Sequence, residues 1–149
     1  MNLSRFYNRL KRYLKLDFKD KIIIIRIFIL SAIARFAMLI VPFKILKRFL
    51  GNAKEESKYK PNDEEIEYIK KISTYIRRIC KHTPWQSKCL VQAIIAQRLL
   101  VSKKIESTMY LGVGKNNNEM IAHAWVLCGD YYVSGWSRLK YGIVAKFRK

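Results

Sequence analysis

Acid is what this chain has least of. Eleven Asp and Glu face 30 Lys and Arg over 149 residues, a formal net charge of +19. That imbalance predicts an acidic partner: nucleic acid, an anionic membrane surface or an acidic peptide. Charge alone does not choose among them. Cysteine is also scarce. Cys80, Cys89 and Cys128 are odd in number and form no CxxC pair, so free thiols in a reducing compartment are expected. With only two His beside them, a zinc site is disfavoured. The six Gly make no Gly-rich phosphate loop, no internal repeat is present, and residues 1–20 are too charged throughout for a secretory signal peptide. Apolar residues are not scarce. They make up 50% of the chain, with 13% aromatics, which supports a real core and excludes a wholly disordered basic tail. The length suits one domain with accessory structure and is too short for two full catalytic domains.

Three parts follow from the patterning. Residues 1–51 are basic and helical, with twelve Lys and Arg against Asp17 and Asp20 through residue 49. Arg5, Arg9 and Arg12 recur at helical spacing beside Phe6, Leu10 and Leu14, a basic amphipathic helix. Ile22 to Val41 is long enough to cross a bilayer, yet Arg26 and Arg35 lie inside it, half a helical turn apart in direction. Two readings stand: helices packed on the domain or a partner, or a segment that contacts membrane. Pro42 ends this helix, and Phe43 to Leu50 is a short basic helix stopped by Gly51. Residues 52–61 read as a charged linker.

Residues 62–149 read as the core domain. Asn62 with Glu65 forms a capping box ahead of a stripe at Ile66, Ile69, Ile72, Ile76 and Ile79. After Pro84 a second helix is expected over 87–102, with Leu90, Ala93, Ile94 and Leu100 inward. The period then changes to two. Strands are expected over 108–113, 120–127, 131–136 and 142–147. Residues 114–118 read as a loop, and Gly129-Asp130 marks a hairpin. The order of helices and strands predicts an α+β fold with a small antiparallel sheet.

Cys89 is the leading candidate for chemistry. It falls in the first turn of the second helix, where free N–H groups and the dipole favour a thiolate, and Lys88 adds positive charge. His123 lies in mid-strand between Ala122 and Ala124, whose small side chains leave room for another group to approach. A helix-start Cys and a strand His together suit a thiolate–imidazolium pair. Each alone has an ordinary structural reading: a small buried thiol, and a satisfied sheet histidine. His82 sits in a loop without such support, and Cys80 and Cys128 read as structural.

Pro84-Trp85-Gln86-Ser87-Lys88-Cys89-Leu90 resembles the nucleophile helix of the lasso-peptide leader peptidases, small bacterial members of the transglutaminase-like superfamily. Leu99-Leu100 with Lys104-Ile105 resembles the end of that helix. Tyr110-Leu111-Gly112-Val113 is similar to the family's first core strand, and Ala122-His123-Ala124-Trp125-Val126 to its histidine strand. Pro42-Phe43 with Leu46 and Leu50-Gly51 is similar to its N-terminal helical region. The resemblance covers most of the chain. It implies a papain-like cysteine peptidase core that removes the leader from a ribosomally made precursor. A separate small recognition protein would hold the leader, and a separate ATP-using cyclase would close the lasso ring. It implies Cys89 as nucleophile and His123 as base, no cofactor and no metal, and a cytoplasmic enzyme with membrane contact left open.

The family's third catalytic residue, an Asp, falls about twelve residues after the His. Gly135 stands there in this chain. With a turn at Cys128-Gly129-Asp130, Gly135 is expected opposite His123. Asp130 itself would sit at the hairpin tip, about 23 Å along the strand at 3.3 Å per residue. A Cys–His dyad is therefore expected, helped by a backbone carbonyl, Ser134 or water. Trp85 either shapes the pocket or packs. The rival reading is a non-catalytic scaffold that binds the precursor and recruits the cyclase. Nucleic acid is disfavoured, because the aromatics read as buried rather than interleaved with exposed bases.

Overall fold

The computed structural model describes Tyr7, Asn8, Lys11 and residues 13–149. The predicted basic stripe of Arg5, Arg9 and Arg12 with Phe6 and Leu10 lies outside the described residues. Its last member, Leu14, is helical and exposed.

Helix α1 spans Phe18–Ile40 and begins where the Asp17 carboxylate accepts from the Phe18 N–H. Among the described residues it is the one helix long and apolar enough to cross a membrane, by length and composition. One face of it packs against the domain through Ile27, Ser31 and Ala34. Pro42 then redirects the chain into α2 (Phe43–Leu46) and a single 3-10 turn, Lys47–Phe49. Residues 52–61 run along the sheet. Strand β1 (Asn52–Ala53) pairs with the C-terminal strand, and the Ser57 N–H donates to Thr108 Oγ1 at 2.8 Å.

Helix α3 (Asp63–Cys80) opens with the expected capping box. The Glu65 N–H donates to Asn62 Oδ1, and the Asn62 N–H to Glu65 Oε2, both at 2.9 Å. Asp63, Glu64 and Glu65 oppose the positive helix end, while Arg77 and Arg78 favour the other. Its buried stripe is Ile69, Ile72, Ile76 and Cys80; Ile66 and Ile79 are only half-buried.

Helix α4 (Cys89–Val101) is shorter than the expected 87–102 and is wrapped more completely. Val91, Ala93, Ile95, Ala96, Gln97, Leu99 and Leu100 are all buried, while Leu90 and Ile94 are half-buried. All four expected inward residues face the core, Ala93 and Leu100 fully and Leu90 and Ile94 in part, and the buried set is wider than one stripe because α4 is covered on several sides, by α1, α3 and the sheet.

The sheet has five antiparallel strands in the order β1-β5-β2-β3-β4: β2 Thr108–Asn116, β3 Glu119–Cys128, β4 Tyr131–Ser134 and β5 Gly142–Arg148. The architecture is α+β, as the sequence implied. One correction concerns residues 114–118. They form no loop; β2 continues to Asn116 and turns on two residues, Asn117 and Asn118, at φ 49° and 67°. Asparagine tolerates this left-handed backbone, so an Asn-Asn pair closes a tight hairpin without glycine.

Candidate active site

Cys89 is the first residue of α4, so its N–H has no partner within the helix. The helix start carries no side-chain cap, which leaves its positive end unneutralised beside the thiol. The preceding turn is held from several sides. Thr83 Oγ1 lies 3.0 Å from the Trp85 carbonyl and 2.8 Å from Ser87 Oγ. Gln92, one turn along α4, donates from Nε2 to the Ser87 carbonyl at 2.9 Å. Trp85 packs onto α1. Its Nε1 donates to the buried Ser31 Oγ at 3.1 Å, and its ring lies against Phe28 and Phe36, with centroids 5.1 and 6.4 Å away. Of the two roles considered for Trp85, the structure shows packing.

His123 occupies β3, next to the edge strand rather than at the sheet centre. Gly112 faces it across the β2 pairing. The imidazole stacks on Tyr141 at 4.7 Å and on Trp125 at 6.0 Å, which restricts its rotation.

The geometry at Gly135 answers for the missing acid. The hairpin turn is tighter than the expected Cys128-Gly129-Asp130: Gly129 and Asp130 alone close it and Cys128 pairs with Tyr131, a register that already carries Gly135 past His123 to Ala124. A bulge between Val126 and Leu127 then shifts the register, so Val126 pairs with Ser134. Gly135 consequently lies beside Ala124 and Trp125, not opposite His123 as expected. The chain leaves the sheet there at φ +74°, and the Gly135 carbonyl accepts from His123 Nε2 at 2.6 Å. A carbonyl can only accept, so Nε2 carries the proton. In the neutral ring Nδ1 is then the basic nitrogen. Asp130 sits in the turn itself, remote from the imidazole. Ser134 makes no bond to the ring either; its buried hydroxyl has no hydrogen-bond partner.

Cys89 and His123 line one cavity of about 320 Å³, together with Gln92, Ser134, Gly135 and Trp136. Among the described residues no hydrogen bond joins the two directly; the imidazole's one hydrogen bond is to the Gly135 carbonyl. Cys80 and Cys128 are buried elsewhere, and burial pushes both thiols up to about 11. They are poor nucleophiles at neutral pH. His82 is exposed and lies outside the cavity. Among the described residues no cluster of His, Cys, Asp or Glu could hold a metal ion.

Two residues of the site escaped the sequence reading. Gln92 stands at i+3 from Cys89, and that spacing alone could have placed it on the same helix face. Tyr141 reaches His123 across a connection that carries no periodic signal.

Among curated proteins and among solved structures nothing matches this chain. A family model described as the transglutaminase-like superfamily matches residues 37–145, a range that holds Cys89, His123, Gly135 and Tyr141. With the greater part of its length covered, this chain belongs to the transglutaminase-like superfamily.

Proposed function

We propose that the protein is a thiol endopeptidase that removes the leader from a ribosomally made lasso-peptide precursor. One observation carries the chemical part: a cysteine at an uncapped helix start shares a cavity with an imidazole whose Nε2 is fixed on a carbonyl. His123 Nδ1 takes the thiol proton of Cys89. The thiolate attacks the scissile carbonyl at the leader–core junction, and the free N–H of Cys89 stabilises the developing oxyanion. The imidazolium then protonates the departing amine, leaving a thioester. Water, deprotonated by His123, opens the thioester and restores the thiol. The motif resemblance supports the precursor as substrate, with a separate recognition protein and a separate cyclase as partners.

The test is cleavage of precursor in the presence of the recognition protein. Cys89→Ala and His123→Ala are each expected to abolish leader release, by about a thousandfold or more, while the fold is retained. Either variant cutting near the wild-type rate overturns the mechanism. A wild-type chain that binds precursor and never releases the leader is the scaffold instead.

A further inference from the structure

Helix α1, the longest among the described residues, carries an apolar face that no other described element covers. On α1, Ile22, Ile25, Ile29, Ile33, Phe36 and Ile40 are between 42% and 79% exposed. They recur every three or four residues and so form one stripe, on the side opposite Ile27, Ser31 and Ala34. Only 17% of the most apolar window of α1 is buried. The exposed apolar surface continues into Phe43, Ile45 and Phe49. A continuous patch of this kind marks an interaction surface.

Charge indicates what covers it. At 100° per residue, Arg26 and Arg35 point half a turn apart, one on each flank of the stripe. Lys19 and Lys21 stand near its start, and Lys44, Lys47 and Arg48 beyond its end. The one acid within the helix is already engaged: Asp20 is bridged to Lys71 at 2.9 Å and accepts from the Tyr75 hydroxyl at 3.0 Å. An apolar ridge flanked by cations is the layout of a helix lying in a bilayer interface. The opposite face argues against a transmembrane placement, since Asp20–Lys71 and Ser31–Trp85 hold it to the domain. A second copy is a poor occupant, because it brings the same cationic flanks and a net +19 to the contact.

We propose that α1 docks the protein flat on an anionic lipid bilayer, with the Ile22–Phe36 stripe at the acyl boundary and Arg26 and Arg35 at the phosphates. Most of the stripe precedes the family match at residue 37, and the proposal does not depend on the peptidase reading.

Flotation of the full chain with vesicles tests it. Binding is expected to phosphatidylcholine vesicles holding about a third phosphatidylglycerol, and to be about tenfold weaker to phosphatidylcholine alone. The triple variant Ile22→Gln, Ile29→Gln, Ile33→Gln is expected to lose about tenfold or more in affinity for the anionic vesicles, with an unchanged circular dichroism spectrum. Should that variant misfold, Arg26→Gln with Arg35→Gln is the second arm, expected to erase most of the preference for anionic lipid. A wild-type chain that ignores both vesicle types overturns the proposal. So does a folded triple variant that binds as wild type, or an unchanged lipid preference in the double Arg variant. A lipid-free dimer that buries the stripe and does not bind vesicles also overturns it.

Discussion

A carbonyl supplies part of what a carboxylate gives an imidazole. The Gly135 oxygen fixes the tautomer and the ring plane of His123, as an Asp would, but adds no full negative charge to hold the imidazolium. Charge-assisted hydrogen bonds are roughly twice as strong as neutral ones, so the ion pair is less favoured here. Cysteine tolerates that loss because its thiolate is accessible near neutral pH without strong help. The substitution Gly135→Asp looks like a repair and should fail as one. The residue sits at φ +74°, and an added Cβ would lie 2.3 Å from the Ala124 carbonyl oxygen and 2.7 Å from Trp125 Cα. Both contacts are backbone, so the chain must move and the carbonyl leaves the imidazole. Gly135→Asp and Gly135→Ala are therefore expected to lower leader release by about a hundredfold each and to destabilise the fold by about 1–3 kcal/mol. Kinetics and urea unfolding of both variants check this, and an Asp variant faster than wild type would refute it. At this scale the sequence was partly legible. The twelve-residue offset from His123 to Gly135 is visible in it, and so is the absence of acid there. The bulge that brings a carbonyl instead depends on strand pairing, which no local pattern encodes.

At the scale of elements, α1 and the nucleophile turn form one unit. Trp85 lies four residues before Cys89, and its Nε1 donates to Ser31 Oγ, which itself donates to the Phe28 carbonyl at 2.7 Å. Ser31 is fully buried, so its hydroxyl takes the place of water for the indole N–H. Removing it leaves a donor without a partner. Ser31→Ala is expected to cost about 1–2 kcal/mol, read as a lower urea midpoint at unchanged slope. An unchanged midpoint would mean that ring packing against Phe28 and Phe36 alone holds the turn. Most elements were legible: the capping box of α3, the strand periods and the stop at Pro42 all follow from local chemistry. The partial misreading of α4 has a clear cause. A helix covered on several sides loses its amphipathic stripe, and the residues that face a sheet cannot then be told from those that face a helix. The apolar run of α1 was legible as a run, but its sidedness was not. Periodicity cannot separate an isoleucine packed on the domain from one that faces outward when almost every position is apolar.

For the whole molecule, charge is the property that exceeds what folding needs. A net of +19 on 149 residues works against compactness, and only three ion pairs join described side chains: Lys71–Asp20, Lys146–Glu56 and Arg148–Glu55. Pairs as exposed as Lys146–Glu56 and Arg148–Glu55 contribute little, so the surplus cations are not explained by stability. They suit capture of an acidic partner, and the precursor leader with its recognition protein is the partner proposed above. Steering acts before chemistry: it raises the encounter rate and leaves the bound complex alone. Replacing Arg5, Arg9, Lys11 and Arg12 with Gln is accordingly expected to raise the apparent KM for leader removal about three- to tenfold and to leave kcat unchanged. Added salt should act in the same direction on the wild type, since a Debye length of about 8 Å at physiological ionic strength shortens further as salt rises. The variant should respond to salt less steeply, having fewer charges to screen. Steady-state kinetics across a salt series decides the matter, in detergent-free solution without vesicles so that lipid capture plays no part. A quadruple variant that keeps the wild-type KM and salt slope but loses kcat would show that the basic segment supports the Cys89–His123 cavity structurally, and steering would be ruled out.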